Sequence, residues 1–487
     1  MKFIYFVLVV FCFQNTACTT SNESSSALTE VNNTKPRVDK QGNILDAHDG
    51  IILQDGNTFY LYGTAYGRTT GFTRANKYVC YSSKNLKDWD FEGDIMPESP
   101  SGIYYRPRVI FNEKLNKYIL WYNWYPQLWD GRFGVAMSDK PIGPFEIVNT
   151  DVKVANSHLG VGDFGLFKDD DGTAYIVYNT IQGHKNSVEK LNSDYLNSSM
   201  ENGGFIAERC EAGSIFKREG KYYLLTDFTC CFCTQGSGAR VYVSDNPLSG
   251  YEFKGNINRY FGENAPILQD GDMSPNLYYT IKSENDNKGA KELILVFDGQ
   301  TKIDKLDIWQ FTGNRWGMCG DTLASETHTP IVKPKFNLYA KKHDSWETIE
   351  TKVDYNEIAL RNVISMRFKK QTIRELKVEI ANYNTNNGLF VNEVEVFFQN
   401  KPSNTTHKTY VCNKGTYGTP IIPAQQSDVM TIKRNGENAY IWIGDLWGSA
   451  SDNIKGHDYM YWSKPLEFSE NGNILSLEWT DEWSLDL

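Results

Sequence analysis

Residues 163–178 read DFGLFKDDDGTAYIVY, a pattern that recurs along the chain and indicates its fold. An acidic residue precedes a short apolar segment, an Asp-Gly turn follows, and a second segment rich in aromatic and β-branched residues completes a β-hairpin pattern. Four related phrases occur elsewhere: DGNTFYLYG at 55–63, EKLNKYILWY at 113–122, REGKYYLLT at 218–226 and RNGENAYIWI at 434–443. Their shared tyrosines are separated by 58, 57, 48 and 217 residues. Repeats tens of residues apart indicate stacked or radially arranged units.

A second phrase follows downstream in four of the units. Its copies are YVCYSSKNLKDWDFEG, GVAMSDKPIGPFEI, VYVSDNPLSGYEF and YMYWSKPLEF. Each alternates apolar and polar residues and then turns at Pro or Gly, as an outer strand and its closing turn do. The sequence therefore predicts an all-β fold, with a five-bladed β-propeller of four-stranded blades, because radial closure leaves only short protected edges.

The long gap before the fifth phrase contains alternating strands with turns of their own, which are enough for a separate β-sandwich of jelly-roll type. Their order, ending in VNEVEVFF, resembles a discoidin-like module. Because propeller phrases resume afterwards, we expect this module to be inserted between the fourth and fifth blades. The predicted organisation is a signal peptide at 1–17, a flexible tether at 18–37, a first propeller segment with blades one to four at 38–262, the inserted sandwich at 263–402, and a second propeller segment with blade five and the closure at 403–487.

The first 17 residues have one basic residue and the apolar run FIYFVLVVFCF, which indicates an export signal. The following TAC and the Ser-, Asn- and Thr-rich stretch resemble a lipoprotein signal, in which Cys18 would carry the lipid. Simple secretion is the alternative. We therefore expect export to the periplasm, the outer membrane or the cell surface of a bacterium, with membrane contact only through that anchor.

Composition excludes some classes of partner. A net charge of -10 without a basic patch argues against nucleic-acid binding. An aromatic content of 14%, with 29 tyrosines, favours strands and suits stacking on sugars, so we expect a neutral polysaccharide or oligosaccharide as the ligand of a monomer. The TCCFC cluster at 229–233 lacks the spacing and the companion histidine of a zinc site, which favours packing or a local disulfide and no metal.

Three acidic residues occupy the same step of the repeat. Asp49, Asp163 and Glu211 stand 11, 12 and 12 residues before the tyrosines of their units. The innermost strands of a propeller run in one direction along the channel, so residues at equivalent strand starts open onto the same face. A solvent-exposed turn carboxylate explains any one of them alone, but three in register predict a shared funnel.

Convergent carboxylates suit glycoside hydrolysis, which needs an acid for the leaving oxygen and a base for the attacking water. Because Glu has the longer reach, we assign Glu211 as the acid, Asp49 as the base and Asp163 as the group that raises the pKa of the acid.

Other residues are candidates for substrate binding. Arg106 and Arg240 would hold sugar hydroxyls, although a buried arginine paired with a propeller carboxylate fits equally well. Trp124, together with Tyr125 and Trp129, would form a stacking wall, although such clusters often belong to the core. His48, next to the predicted base, is a further candidate.

These residues resemble glycoside hydrolase family 43, whose members are five-bladed β-propellers that invert configuration. The family pattern of Asp before the first inner strand, Asp before F-x-DDDG-x-aromatic-Tyr, and Glu before KR-x-G-x-YYL matches Asp49, Asp163 and Glu211. The resemblance implies a glycosidase that requires no cofactor, with Ca²⁺ possible in the propeller channel near His158 or His457.

Within the family, DAHDGIIL, YRPRVIFNEKLNKYIL and AQQSDVMTI are most similar to the exo-β-1,3-galactanase branch. That branch has Gly in place of Asp49, Glu in place of Tyr105 and a functional Gln that matches Gln425, which makes Gln425 a further substrate-binding candidate. The two departures favour an ordinary Asp base and the furanosidase subgroup.

The leading hypothesis is an inverting exo-glycosidase that removes terminal β-D-galactofuranosyl or α-L-arabinofuranosyl residues from polysaccharides. Long loops at 67–77 and 229–238 would close one side of the funnel and favour exo action. The alternatives are an exo-β-1,3-galactanase or β-xylosidase, a non-catalytic carbohydrate-binding propeller, and a protein whose inserted module is the functional part.

Overall fold

The computed structural model describes residues 28–229, 231–234, 236–259, 263–271, 279–281, 291–311, 333–343, 345–358, 361–381, 389–403, 406–413, 419–434 and 436–486. The predicted signal peptide and the lipidation site Cys18 lie outside these ranges. The described part is built from strands, with three single-turn 3₁₀ helices at Ser157–Leu159, Pro266–Leu268 and Lys455–His457. Within these ranges no helix has the length and apolar character needed to cross a membrane.

Five antiparallel sheets form the propeller, with strands numbered in chain order. Blade 1 comprises β2 His48–Asp55, β3 Thr58–Ala65, β4 Lys77–Ser83 and β5 Asp90–Asp94. Blade 2 comprises β6 Ile103–Asn112, β7 Lys117–Tyr125, β8 Arg132–Ser138 and β9 Glu146–Val152. Blade 3 comprises β10 Val161–Lys168, β11 Ala174–Thr180, β12 Asn186–Leu191 and β13 Ser198–Ala207. Blade 4 comprises β14 Ser214–Arg218, β15 Lys221–Thr226, β16 Arg240–Ser244 and β17 Glu252–Asn256. Blade 5 comprises β28 Gln425–Arg434, β29 Glu437–Leu446 and β30 Tyr459–Pro465, one strand fewer than predicted among the described residues.

Apolar clusters between neighbouring blades hold the ring together. Separate clusters lie between blades 1 and 2, 2 and 3, 3 and 4, and 4 and 5. A fifth cluster joins blade 5 back to blade 1, with Trp89 and Trp462 fully buried in it. Strand β11 is buried along its whole length because both faces of its blade are covered. The five-bladed propeller predicted from the repeats is confirmed.

The two ends of the described chain pair with each other. Strand β1, Leu28–Asn32, is antiparallel to β31, Glu482–Asp486, and Trp483 donates from Nε1 to the carbonyl of Trp462 at 3.1 Å. The segment predicted as a flexible tether at 18–37 therefore forms a strand from Leu28 onward, where β1 pairs with β31 and Val31 packs in the cluster between blades 1 and 5.

The inserted module has its own core. Its strands are β18 Glu263–Asn264, β19 Tyr279–Ile281, β20 Lys291–Phe311, β21 Lys335–Lys342, β22 Ser345–Ile349, β23 Thr351–Ile358, β24 Arg361–Ala381, β25 Leu389–Phe398, β26 Lys401–Pro402 and β27 His407–Asn413. The insertion ends at Asn413 and not at residue 402 as predicted, because β27 pairs with β20 of the module.

Two 21-residue strands, β20 and β24, pair along most of their length and pass through both layers of the module. The first half of β20 is flanked by β27 and the second half by β25, with a break in register between Val296 and Thr301. Leu293 from the first half and Ile308 from the second are buried in one cluster. The module is thus a sandwich whose layers share two bent strands; the discoidin-like topology stays a prediction.

Candidate active site

The innermost strands of four blades are irregular at equivalent places. Register shifts lie between His48 and Ile51 in blade 1, Tyr105 and Arg108 in blade 2, Val161 and Phe164 in blade 3, and Gln426 and Asp428 in blade 5. Such bulges redirect side chains and are common beside active sites.

The bulges contain Asp49, Arg106 and Asp163, and the first two have φ of 56° and 51°. In blade 4, Glu211 precedes the strand and is followed by Ala212 with φ of 52°. Left-handed backbone costs a non-glycine residue free energy and is concentrated at functional sites, so these positions mark the face of the ring where the site lies.

One pocket opens on this face. Its polar lining includes all three predicted carboxylates, together with Arg106, Asn179, His184 and Gln425. Its apolar lining is formed mainly by residues of three loops: Tyr66, Phe72, Tyr105, Tyr125, Leu128, Trp129 and Phe232. The structure thus brings Asp49, Asp163 and Glu211 to one cavity.

Asp49 is buried and held from two sides. Its backbone N–H donates to Oδ2 of Asp445 at 3.0 Å, and the hydroxyl of Tyr66 donates to its own Oδ2. Burial raises the pKa of Asp49 to about 6, with a contribution from Asp445 and against the opposing charge of Arg106. The carboxylate form therefore predominates at neutral pH.

Asp163, which is partly exposed to the pocket, forms an ion pair with the buried Arg106. The Nε atom of Arg106 donates to Oδ2 of Asp163 at 2.9 Å. Burial alone would lower the pKa of Arg106, but the charges of Asp163 and Asp49 outweigh it and raise the pKa. Of the two sequence interpretations for Arg106, the structure shows the pairing with a propeller carboxylate, in a position that also lines the pocket.

Glu211 is buried with one oxygen without a partner. Its backbone N–H donates to Oδ1 of Asp227 at 3.1 Å, and its Oε1 lies 3.4 Å from Nδ1 of His184. Its Oε2 has no hydrogen-bond partner among the described residues. Burial raises the pKa of Glu211, and the charge of Asp163 adds to this against the effect of His184. A carboxyl group with this tendency to stay protonated suits a general acid.

Gln425 lies in the pocket with a fixed orientation. Its Oε1 accepts hydrogen bonds from Nε1 of Trp447 at 2.8 Å and from the backbone N–H of Phe232 at 3.2 Å. Its amide nitrogen has no partner among the described residues and is available to donate to a sugar oxygen.

Three predicted substrate-binding residues do not line the pocket. His48 is fully buried, and its Nδ1 lies 2.9 Å from Oδ1 of Asp445. Trp124 points to the opposite face of its strand from Tyr125, as alternate residues do, and donates from Nε1 to the carbonyl of Thr150 at 2.7 Å.

Arg240 is the third of these residues. It donates to the carbonyls of Glu208 at 3.2 Å and Asp227 at 3.0 Å, with its guanidinium 4.2 Å from the centre of the Phe228 ring. It therefore fixes the segments that flank Glu211 and does not contact the pocket. Of the three aromatic residues predicted to form a stacking wall, Tyr125 and Trp129 line the pocket and Trp124 does not.

Several pocket residues were missed by the sequence analysis. Tyr66, Asn179, His184 and Phe232 lie in loops or late in strands, where no repeat marks them. Asp227 directly follows the repeat phrase YYLLT, and that adjacency was the only sequence signal for it. In the 229–233 cluster, Cys233 is disulfide-bonded, whereas Cys231 is an unpaired thiol at the pocket.

The residues of the channel do not fit the calcium ion that the resemblance allowed. The buried guanidinium of Arg108 donates to the carbonyls of Asp49 at 2.8 Å, Phe164 at 3.1 Å and Ser427 at 3.0 Å, which belong to blades 1, 3 and 5. These carbonyls, the kind of ligand that calcium needs, already bind a cationic side chain. Burial lowers the pKa of Arg108 to about 10, so it stays charged at neutral pH.

The described ranges of the chain also have no group of three or more His, Cys, Asp or Glu arranged to hold a metal. Of the two histidines considered as calcium neighbours, His457 pairs with Asp452 at 2.8 Å, and neither lines the pocket.

A five-bladed ring with three carboxylates converging on one pocket, two of them buried, defines a propeller glycosidase. The model of the family "Glycosyl hydrolases family 43" matches residues 44–274, which include the four blades before the insertion. This segment is a family 43 glycosyl hydrolase domain, and the protein is a glycoside hydrolase, as predicted.

Two solved structures are similar over both the propeller and the insertion. An exo-β-1,3-galactanase from Clostridium thermocellum aligns over 93% of this chain and 66% of its own, with 15% identity and a TM-score of 0.52. A family 43 β-1,3-galactosidase with galactodeoxynojirimycin aligns over 93% of this chain and 99% of its own, with 16% identity and a TM-score of 0.52. At these identities the likeness concerns the fold. No curated protein matches the chain.

Proposed function

We propose that the protein is an inverting exo-glycosidase that releases single sugars from the ends of polysaccharide chains. The observation that carries this proposal is the convergence of Asp49, Asp163 and Glu211 on one pocket that loops enclose. The loops of blades 1 and 4 meet where the rings of Phe72 and Phe232 pack edge to face at 4.9 Å. This contact walls one side of the cavity, which favours a chain end over an interior segment.

The reaction follows from the protonation states. Glu211, whose protonated form is favoured by burial, donates its proton to the glycosidic oxygen as the bond from that oxygen to the anomeric carbon breaks. A water molecule attacks the anomeric carbon from the opposite face, and Asp49 takes the proton that the water loses. Asp163 accepts the hydrogen bond of Arg106 and places a negative charge near Glu211, which favours the protonated acid.

The identity of the terminal sugar is the finer part of the proposal. The presence of Asp49 and of Tyr105 in the pocket, where the galactanase branch has Gly and Glu, supports a furanosyl substrate, β-D-galactofuranoside or α-L-arabinofuranoside. The fold likeness to a β-1,3-galactanase and a β-1,3-galactosidase, and the orientation of Gln425, support a β-1,3-linked galactosyl unit. A terminal galactosyl unit is compatible with both sets of observations. The ring size distinguishes the two cases, since the first set supports the furanose form and the second set supports a β-1,3-linked galactosyl unit as in the galactanase branch.

The decisive experiment uses nitrophenyl glycosides of β-D-galactofuranose, α-L-arabinofuranose, β-D-galactopyranose and β-D-xylose. We expect hydrolysis of a galactosyl or arabinofuranosyl member, and NMR of the first product should show the anomer opposite to that of the substrate. A matching oligosaccharide should release monosaccharide from the start. A retained anomer, a ladder of intermediate oligosaccharides or inactivity on the whole panel would contradict the proposal, and inactivity with sugar binding would favour the non-catalytic propeller.

The proposal includes an exported protein, anchored through a lipid on Cys18, that acts as a monomer without a cofactor. The export and the lipid anchor rest on the apolar run and the TAC stretch of the first 18 residues. Metabolic labelling with a radioactive fatty acid should mark the wild-type protein and not the Cys18→Ser variant. Absence of label in both would leave simple secretion.

A further inference from the structure

The mouth of the pocket is apolar and exposed, although its floor is polar and buried. Three pocket-lining side chains have large exposed fractions, Phe72 at 46%, Leu128 at 42% and Trp129 at 59%, whereas Asp49 and Glu211 are each 6% exposed. We call Phe72, Leu128 and Trp129 the apolar rim. Large apolar residues grouped at the entrance of a polar cavity mark a binding surface.

The apolar rim is held in place before any ligand arrives. The ring of Phe72 packs on Phe232, which packs in turn on Trp447 at 4.9 Å and on Tyr66 at 5.5 Å. On the other side, Trp129 has φ of 73°, a conformation that costs a residue with a large side chain free energy.

The turn that holds Trp129 is closed by a hydrogen bond from the N–H of Asp130 to the carbonyl of Gln127 at 2.9 Å. A backbone fixed at such a cost holds the exposed Trp129 side chain at the mouth of the pocket, so its attachment point needs little further ordering on binding.

The charged side chains beside the apolar rim already have hydrogen-bond partners within the protein. Asp130 accepts a hydrogen bond from Arg132 at 2.9 Å, and Arg74 donates to the carbonyl of Pro126 and to the hydroxyl of Ser101. The rim itself has no ionisable side chain. Its ligand is therefore neutral, with an apolar face wide enough to cover an indole ring, as the C–H face of a pyranose or furanose ring has.

We propose that the apolar rim is the subsite for the second sugar of the substrate, on the leaving-group side of the bond that is cleaved. This inference rests on the proposed function. A terminal sugar between the three carboxylates fills the floor, so the remainder of the chain leaves through the mouth. The next ring then lies beside Trp129 and Phe72, and its stacking energy contributes to cleavage of saccharides but not of substrates that lack this ring.

The test compares two substrates with the same terminal sugar and anomeric configuration, a disaccharide and the glycosyl fluoride, which has no second ring. We expect Trp129→Ala and Phe72→Ala each to lower kcat/KM on the disaccharide by about 10-fold, the usual worth of one aromatic stacking contact. On the fluoride both variants should lose clearly less activity than on the disaccharide, because no second ring stacks on the rim there. Trp129→Phe should recover most of the activity on the disaccharide. The matched control is Phe91→Ala, which removes an equally exposed aromatic ring, 51%, from an outer strand of blade 1.

Equal losses on both substrates would overturn the inference, since they would mean that the rim only supports the pocket. No loss on either would also overturn it. A loss on nitrophenyl glycosides without a loss on the disaccharide would assign the rim to an apolar aglycone and likewise refute a sugar subsite. If the wild type cleaves neither the disaccharide nor the fluoride of any panel sugar, the proposed function itself fails, which is a different result.

Discussion

The guanidinium of Arg106 donates from Nε to Oδ2 of Asp163 at 2.9 Å. The charges of both residues act on the other two carboxyl groups of the pocket, Asp49 and Glu211. Arg106 lowers the pKa of both Asp49 and Glu211, whereas Asp163 raises both. The pair is therefore neutral as a unit, and the balance between burial and these two charges determines which carboxyl group keeps its proton.

The first prediction concerns the acid. Glu211→Gln removes the transferable proton but keeps the shape, so turnover on unactivated substrates should fall by a factor of about 10² to 10⁴, with sugar affinity nearly intact. Steady-state kinetics and calorimetric titration with the product sugar measure the two quantities. Glu219→Gln, at an exposed turn, is the control and should match the wild type. Unchanged turnover in the Glu211 variant would remove it from the mechanism.

A second prediction concerns the acidic limb of the pH profile. Because burial raises the pKa of Asp49 to about 6, kcat/KM should decline as the pH falls through about 6 and the base becomes protonated. The hydroxyl of Tyr66 stabilises the charged form of Asp49 by its hydrogen bond, so its removal in Tyr66→Phe should shift this limb to higher pH. A limb that stays in place, or that moves to lower pH, would contradict the assignment of Asp49 as the base.

The third prediction separates two variants of Asp227. Burial, and then the charge of Glu211, raise the pKa of Asp227 well above its usual range, which favours the neutral form of its side chain. Asp227→Asn keeps an oxygen for the N–H of Glu211 and should have nearly wild-type stability and activity. Asp227→Ala leaves that buried N–H without its partner and should lower the free energy of unfolding by about 1–3 kcal/mol.

Urea unfolding at pH 7 measures the free energy of unfolding of the two Asp227 variants and of the wild type. A large loss of stability in the Asn variant, comparable to that in the Ala variant, would mean that the carboxylate charge itself is required there.

The fourth prediction concerns metal removal. Because Arg108 already binds the carbonyls of Asp49, Phe164 and Ser427, excess EDTA or added calcium should leave the melting temperature and the activity unchanged. Arg108→Met leaves these carbonyls without their donor and should lower the free energy of unfolding by about 3 kcal/mol or more. Thermal unfolding with and without calcium checks both statements, and Lys114→Met, at an exposed turn, is the control. A rise in the melting temperature of the wild type on addition of calcium would show that the channel accepts the ion after all.

The repeat phrases were sufficient for the ring but not for the details of its strands. The spacing of the tyrosines indicated the blades, and the offset of the acids indicated that Asp49, Asp163 and Glu211 share a face. The register shifts that turn Asp49 and Asp163 toward the pocket have no local sequence signal, because a bulge depends on the partner strand as much as on its own. For the same reason, the extension of the insertion to Asn413 followed from the pairing of β27 with β20 and could not be predicted from the local pattern that placed the boundary at residue 402.

Local pattern and periodicity by themselves determined the all-β class, the five blades, the place of the insertion and the three carboxylates, since hydrophobic alternation and turn chemistry are encoded in adjacent residues. Only the tertiary structure decided that Trp124 and Arg240 face away from the pocket, that Asp227 supports Glu211 and that Arg108 takes the channel carbonyls. These outcomes depend on contacts between side chains and backbone groups far apart in the chain, and such contacts come into being only when the ring closes.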